Sequence, residues 1–474
     1  MNKIVKIIFV FAVCLLITGL LDAQPSITWQ REYIGPDKVE GNCITQTFDE
    51  GYVMSGGSPQ NRYFVIRTNV YGDTIWTKIY QDGHPYKIIQ TCDSNFIIAG
   101  QSEGQYDIYS DGFIQKIESN GNQIWKKKFG GILGDAITDI LELNDTKILC
   151  IGSSTFSFFP LLAKYFLLKT ESNGDSIWLK YYDSTFVNQS GKFDSYKNDR
   201  ILISGSRPLV TDTNGTLIRY SYGIPGGKGI ADTVSHTFFF VRTTNDSTGK
   251  SIIQMTRTDT AFKVLFTKNI SMPLRYLYVN DIINYNSGFV ICGSFETNIE
   301  FQIGGLLIQF NTEGNINWYK EYLIKNRPSL FVSLNNCSDK GYISIGSINP
   351  SSFGVNNIIA TKTDSLGNTT LINIQMISNS VSGDFKLYQN FPNPFNSQTI
   401  IKFELKHYSK VNFIVQDILG KIVDIPLNDN LNSGIYNIIY KPKFDLSSGI
   451  YFYTINILNE FEKMRLTKKF ALIK

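Results

Sequence analysis

A single pattern recurs through most of the chain, from about residue 42 to residue 376. Each copy has an apolar strand that ends in small residues and then two alternating strands joined by Asn-Gly or a related pair. Such a pair is the strongest short-range signal for a hairpin, because both turn residues need positive φ. The apolar strands are GYVMSGG (51–57), NFIIAGQ (95–101), KILCIGS (147–153), RILISGS (200–206), GFVICGS (288–294) and GYISIGS (341–347), and the hairpins are 63–80, 112–129, 165–182 and 306–322.

Tryptophan spacing gives the length of the repeat. Trp76, Trp125 and Trp178 follow Trp29 at successive intervals of 47, 49 and 53 residues, and Trp318 continues the series after a longer gap. This period is typical of one four-stranded propeller blade.

Two enlarged copies fill the longer gap, and one more follows it. Residues 238–259 resemble a degenerate hairpin with Ile253 near the Trp position, and a final hairpin at 358–375 places Leu371 there. The pattern therefore contains six units.

The N-terminal segment ITWQREY (27–33) matches the end of a unit and not its beginning. A strand that the N-terminus donates to the last blade closes the ring and removes sheet edges that would otherwise pair with other chains. An open solenoid has no last blade for such a strand to complete, so the offset favours a closed ring. The sequence therefore predicts an all-β fold, with a six- or seven-bladed β-propeller over residues 25–376.

Composition agrees with strands and excludes one class of partner. Aromatic residues make up 14% of the 474 residues, a content typical of β proteins. The net charge of +4 arises from 45 basic and 41 acidic residues scattered along the chain. Because no basic face forms, we expect no nucleic-acid partner.

The first 23 residues have the features of a signal peptide. Lys3 and Lys6 give a positive start, Ile7 to Leu21 form an apolar stretch, and Ala23 ends a cleavage site. The apolar stretch is shorter than the roughly 20 residues that span a bilayer. We expect a mature protein without a transmembrane span.

Five cysteines remain after the signal peptide, an odd number without metal-type spacing. Cys150 and Cys292 occupy matching places in two repeats. We therefore expect small buried core residues here and not disulfide partners.

The hairpins resemble those of quinoprotein-type propellers, in which an acidic residue and a Gly precede the Trp, as Glu171, Gly174 and Trp178 do. Their spacing departs from the Asp-box of sialidase-like propellers, which has a Gly three residues before the Trp. Cofactor binding is the weakest of the functional hypotheses, since the resemblance implies eight blades for it. We expect no cofactor.

After a polar joint at 377–383, the pattern changes for the rest of the chain. The segment 384–474 resembles the type A C-terminal sorting domain of the bacterial type IX secretion system. The motifs that carry the resemblance are YQNFPNPFN (388–396), TIIKFEL (399–405), VNFIVQDILGKIV (411–423), SGIYNIIY (433–440), SSGIYFYTI (447–455) and the basic end LTKKFALIK.

The resemblance implies a secreted protein, extracellular or attached to the outer-membrane surface, whose partner is the secretion translocon. Lys468, Lys469 and Lys474 are candidates for the terminal sorting signal, and solvated strand ends are the alternative. Whether the sorting domain is removed stays open.

The residues of this segment agree with a small Ig-like β-sandwich of about seven short strands. Pro392 and Pro394 restrict its opening, and Asn393 is a natural turn former. Gly420 marks a tight hairpin turn, and Gly449 precedes an Ile-Tyr strand.

Residues able to carry catalysis are scarce or scattered, and none is assigned as catalytic or metal-binding. His84, in a loop between blades, His236 and His407 lie in dissimilar contexts, which disfavours a metal site or a Ser/His/Asp triad. Acidic residues recur where turn chemistry explains them. They are Asp49, Asp93 and Asp339 before apolar strands, and Glu118, Glu171 and Glu313 before hairpin turns.

The leading functional hypothesis is non-enzymatic binding of an extracellular glycan or protein. The irregular stretch 207–237 is taken as the largest insertion and the first place to look, since loops on rigid scaffolds often bind ligands. The alternative is a secreted carbohydrate-active hydrolase or lyase that uses loop carboxylates. A cluster of acids in a central funnel would favour it.

Overall fold

Every regular element of the computed structural model is a β-strand, and the described residues contain no helix able to cross a membrane. The residue contacts place Thr28–Asn373 in one unit and the residues from Ile374 onward in another. The structure describes residues 27–33, 39–102, 110–131, 133–158, 161–183, 191–197, 199–224, 226–285, 288–297, 302–323, 327–349, 357–369, 373–378, 385–396, 398–407, 409–431, 434–442, 446–459 and 463–473. The signal-peptide prediction lies outside these ranges.

Seven four-stranded antiparallel sheets make up the described part of the first unit. The strand that completes sheet 7 comes first in the chain, β1 (Trp29–Tyr33). Sheets 1 to 3 are β2 (Glu40–Gln46), β3 (Tyr52–Ser58), β4 (Arg62–Thr68), β5 (Thr74–Gln81); β6 (His84–Gln90), β7 (Phe96–Gln101), β8 (Gly112–Ile117), β9 (Gln123–Phe129); and β10 (Asp135–Glu142), β11 (Ile148–Phe158), β12 (Leu161–Thr170), β13 (Ser176–Asp183). Sheets 4 to 7 are β14 (Lys192–Lys197), β15 (Arg200–Ser204), β16 (Leu209–Asp212), β17 (Leu217–Tyr220); β18 (Lys228–Asp232), β19 (Thr237–Asn245), β20 (Ser251–Asp259), β21 (Val264–Ser271); β22 (Tyr276–Tyr285), β23 (Gly288–Glu296), β24 (Ile303–Asn311), β25 (Ile316–Tyr322); and β26 (Ser329–Asn336), β27 (Tyr342–Ile348), β28 (Asn357–Thr363) with β1.

The sheets follow one another in cyclic order, as in a propeller. The first strand of each sheet packs against the preceding sheet, and β2 of sheet 1 packs against β26 and β27 of sheet 7. Strand β1 pairs with β28, with Trp29 opposite Lys362 and Tyr33 opposite Ile358. The N-terminal strand thus completes the last sheet, as its offset in the sequence predicts.

Sheet 4 corrects the prediction that 207–237 is an insertion, because this stretch contains β16, β17 and β18. The repeat escaped recognition because Arg219 stands where other sheets carry a Trp. Arg219 pairs with Val210, as Trp178 pairs with Lys169.

The Trp positions of sheets 5 and 7 also differ from the sequence prediction. In sheet 5 the position belongs to Phe266, opposite Arg257, and not to Ile253, which lies one strand earlier. In sheet 7 Trp29 holds it, and Leu371 lies outside the described residues. Strand β29 (Asn373–Ser378), part of which was predicted to belong to the last hairpin, lies in a sheet of the second unit, because β1 already fills the outer place of sheet 7.

In six of the seven sheets an aromatic residue of the outer strand packs on a turn glycine of the next sheet. Trp76 donates its indole N–H to Ser119 O at 3.1 Å and packs on Gly121, whose φ of 85° demands glycine. Tyr80 donates from its hydroxyl to Gly121 O at 2.5 Å. The same aromatic-on-glycine contact occurs at Trp29 on Gly72, Trp125 on Gly174, Trp178 on Gly215, Phe266 on Gly314 and Trp318 on Gly367.

Two four-stranded sheets form the described part of the second unit. Their orders are β29-β34-β31-β30 and β33-β32-β35-β36. The remaining strands are β30 (Lys386–Leu387), β31 (Thr399–Leu405), β32 (Ser409–Gln416), β33 (Ile422–Leu431), β34 (Gly434–Tyr440), β35 (Gly449–Leu458) and β36 (Lys463–Leu472). Tyr440 of β34 packs on Phe470 of β36 with ring centroids 5.6 Å apart, so the two sheets share an aromatic core.

Candidate functional site

The opening of the second unit is hydrogen-bonded to the final strand of the chain. Asn393 Oδ1 accepts from the Ala471 amide at 2.9 Å, and Asn393 Nδ2 donates to Lys469 O at 3.4 Å. Phe395 continues this contact, since its amide donates to Ala471 O and its carbonyl accepts from the Ile473 amide. The proline-rich opening and the basic end, which are two separate motifs in the sequence, therefore form one surface.

The other candidate sorting residues occupy varied places. Pro392 and Pro394 are exposed beside Asn393. Gly420, with a φ of 81°, closes the turn between β32 and β33, and Gly449 begins β35. Lys469 is exposed and Lys468 half-buried on β36, while Lys474 lies outside the described residues.

Sequence reasoning missed two residues of this surface. Gln389 donates from Nε2 to Lys469 O at 2.7 Å, and Phe395 is buried against Tyr440 and Phe470. The aromatic residue after Pro394 was a usable signal, because an aromatic in a turn that contains prolines needs a core to cover it.

Asn393→Ala should loosen the end of β36 selectively. We expect the free energy of unfolding of this unit to fall by about 1–2 kcal/mol, from two lost hydrogen bonds. Hydrogen exchange should accelerate at the Ala471 amide, whereas the Ile473 amide keeps its backbone acceptor. Asn396→Ala, a change at an exposed residue of the same motif, is the control. Equal exchange rates of the Ala471 amide in both variants would contradict the role of the Asn393 hydrogen bonds.

The two ends of the ring of sheets 1 to 7 differ in construction. One end, here called the turn end, carries the connections between first and second and between third and fourth strands. Ten of these, together with the turn that follows β28, share one pattern. In it the first residue's amide donates to the fifth residue's carbonyl, and the first residue's carbonyl accepts from the fourth residue's amide. They begin at Thr47, Asn69, Thr91, Glu118, Leu143, Glu171, Asp212, Asp259, Asn311, Cys337 and Asp364.

The opposite end, here called the loop end, carries the remaining connections, between second and third strands and between sheets. These differ in length from sheet to sheet, and in the described residues one of them, Asp246 to Lys250, has the turn-end pattern. Since a repeated turn serves the scaffold and unequal loops allow recognition, the loop end is the candidate binding surface of the body.

The recurrent aspartates of the turn end have structural roles, as predicted. Asp93 accepts from Thr91 Oγ1 at 2.5 Å and pairs with Lys116 Nζ at 2.7 Å. Although partial burial opposes ionisation, these hydrogen bonds lower the Asp93 pKa. Asp339 repeats the arrangement with Lys362 Nζ at 2.8 Å.

Charged side chains of the first strands meet within the ring. Lys87 Nζ lies 3.2 Å from Asp139 Oδ1, and Lys192 of sheet 4 pairs with Asp281 of sheet 6, two sheets that are not neighbours. Burial opposes ionisation of Asp281, but Lys192, Lys87 and Lys228 hold its pKa below the ordinary value. A general acid needs a raised pKa, so Asp281 is unsuited to that role.

His84, Cys150 and Cys292 lie in strands of the body. His84 begins β6 and does not lie in a loop, which corrects its predicted place; burial lowers its pKa, and its Nε2 lies 2.9 Å from Asn42 Nδ2. Cys150 and Cys292 are fully buried in second strands, as predicted. In the described residues no group of His, Cys, Asp or Glu could hold a metal ion.

Comparison with known proteins identifies the second unit. Residues 389–470 match the family described as secretion system C-terminal sorting domain. A sorting domain of this kind implies export, followed by secretion or attachment at the cell surface. No curated protein matches the chain.

Similar solved structures are distant. A protein of unknown function from Dyadobacter fermentans is 8% identical, with a TM-score of 0.37 over 70% of this chain and 97% of that one. The β-propeller domain of the Trilobed protease from Pyrococcus furiosus, described with an open velcro topology, is 8% identical with a TM-score of 0.40 over 69% and 95%. A GH43 endo-arabinanase from Bacillus licheniformis is 12% identical with a TM-score of 0.28 over 49% and 96%.

Proposed function

We propose that the chain is exported through the type IX secretion system and that its body is a closed seven-bladed β-propeller that binds an extracellular ligand at its loop end. The contrast between eleven turns of one pattern at one end and unequal connections at the other carries this proposal. In this proposal residues 1–23 are a signal peptide and 384–474 an Ig-like sorting domain. The translocon would read the joined surface around Asn393 and Lys469.

The role of the body is binding without turnover. At its centre Asp281 pairs with Lys192, and its lowered pKa suits a structural ion pair and not a general acid. The test is a panel of extracellular polysaccharides and proteins offered to the secreted chain, with release of reducing sugars measured in the same wells. Binding without product supports the proposal, whereas product formation contradicts it.

One carboxylate pair favours a second candidate function, a carbohydrate-active hydrolase or lyase. A side chain at Gly130 would meet Asp111 Oδ1 at 2.3 Å and Asp135 Oδ2 at 2.8 Å, so both carboxylates converge beside this glycine. Burial, with the nearby Asp111 charge, raises the Asp135 pKa, as a general acid requires. Against this function, Asp135 is only 2% exposed. Release of sugars by the wild type that Asp111→Asn abolishes would establish it.

A further inference from the structure

An arginine contacts two tyrosine rings at the loop end of sheet 4. The Arg207 guanidinium carbon is 4.5 Å from the Tyr220 ring centroid and 5.0 Å from that of Tyr222. Tyr222 is 78% exposed. Within the described residues no carboxylate pairs with this guanidinium, so its planar N–H edge is left for a ligand.

Backbone contacts hold this stack in place. The Ser221 amide donates to Pro208 O at 2.8 Å, which ties the residue before Tyr222 to the residue after Arg207. The Ser206 amide donates to the Tyr165 hydroxyl at 2.7 Å, and the Gly227 amide donates to Gly205 O. A receptor fixed before its ligand arrives loses little conformational entropy on binding.

A second aromatic and cationic cluster lies on neighbouring sheet 3, also at the loop end. Phe156 and Tyr181 are about half exposed and contact edge to face, with ring centroids 5.3 Å apart. Lys164 Nζ lies 5.5 Å from the Phe156 ring centroid. Strand β11, which carries Phe156, has 11 residues, against 5 to 9 in the second strands of the other six sheets.

The chemistry of these clusters selects a ligand class. A guanidinium edge binds a planar carboxylate through two parallel hydrogen bonds, and exposed aromatic faces bind flat, partly apolar surfaces such as sugar rings. From this combination we infer that the loop end of sheets 3 and 4 binds an acidic polysaccharide, with a uronate carboxylate on Arg207 and its sugar ring against Tyr222. This inference deepens the proposed binding function and depends on it.

The loop end also carries acidic groups that face the second cluster. Asp135 and Asp111 lie beside Gly130. Burial and the charge of Asp135 raise the pKa of the Tyr181 hydroxyl. The two aspartates would repel a carboxylate near Tyr181. The uronate therefore belongs at Arg207, and the Phe156 and Tyr181 rings contact sugar rings farther along the polymer.

The test measures binding of tetragalacturonate and of its methyl ester to the full secreted chain by calorimetry. We expect the methyl ester, which keeps the rings and loses the charge, to bind wild type at least about tenfold more weakly than the acid does. We expect the acid to bind Arg207→Gln at least about tenfold more weakly than it binds wild type. Arg62→Gln, the same charge change at the loop end of sheet 1, should change affinity less than about twofold.

Four results overturn the inference. Equal binding of acid and ester excludes recognition of the carboxylate. Stronger binding of a sulfated oligosaccharide than of tetragalacturonate excludes uronate as the ligand class. Unchanged affinity in Arg207→Gln excludes this site while leaving the proposed binding function intact; absence of binding to every glycan and protein in the panel contradicts both.

Discussion

Replacing Trp29 with alanine is expected to lower the free energy of unfolding of the body by about 3–5 kcal/mol. Trp29 is 5% exposed, donates its indole N–H to Val70 O at 3.0 Å and contacts Tyr52 edge to face. Its loss removes buried area and one end of the connection between sheets 7 and 1. Chemical denaturation monitored by tyrosine fluorescence measures the effect.

Ile79→Ala is the matched control for Trp29→Ala. Ile79 is also an apolar residue of an outer strand, but it is 44% exposed, so its truncation should change stability by less than about 0.5 kcal/mol. A cost below about 1 kcal/mol for Trp29→Ala would mean that β1 does not close the ring.

Asp281→Ala is expected to cost about 3–5 kcal/mol, because it leaves the Lys192 ammonium without its carboxylate. It also removes the acceptors of the Leu334 amide at 3.0 Å and the Ile282 amide at 2.8 Å. The control is Glu296→Ala, which breaks a more exposed ion pair with Arg275 and should cost less than about 1 kcal/mol. Similar costs for both variants would contradict the structural role of Asp281.

The Lys192–Asp281 ion pair also predicts that the stability of the body depends on pH. Because the Asp281 pKa is lower in the folded chain, the unfolded chain binds its proton first as pH falls. The stability that wild type holds over Asp281→Asn is therefore complete above about pH 4, the ordinary range of an aspartate, and disappears as pH drops through the folded pKa. Urea unfolding of both proteins across this range measures the difference in their free energies of unfolding. A difference that stays constant down to about pH 2 would contradict the lowered pKa.

The repeat was predictable wherever its strongest signals were present. Turns that contain a glycine, and the tryptophans that follow them, revealed sheets 1, 2, 3 and 6, because these residues build the contact between one outer strand and the next turn. The hairpin of sheet 4 was missed although Asn214-Gly215 marks its turn, since Arg219 replaces the aromatic. Pairing with β1, and the transfer of β29 to the other unit, depend on contacts between distant segments that periodicity does not contain.

The sites were less predictable than the fold. The sequence identified Asn393 and Lys469 separately, but their hydrogen bond joins residues 76 positions apart. The Arg207 stack lies inside the stretch chosen for binding, although that stretch is a sheet and not an insertion. Its two tyrosines are separated by one residue in the chain, and only the geometry of the connection turns both toward the same guanidinium.

Fractionation of cells that possess a type IX secretion system tests whether the C-terminal unit directs export. The full chain and a chain that ends at residue 384 are expressed side by side, and the periplasm, cell surface and medium are probed with an antibody to the body. We expect the full chain at the surface or in the medium and the shortened chain in the periplasm. Appearance of the shortened chain outside the cell would contradict it.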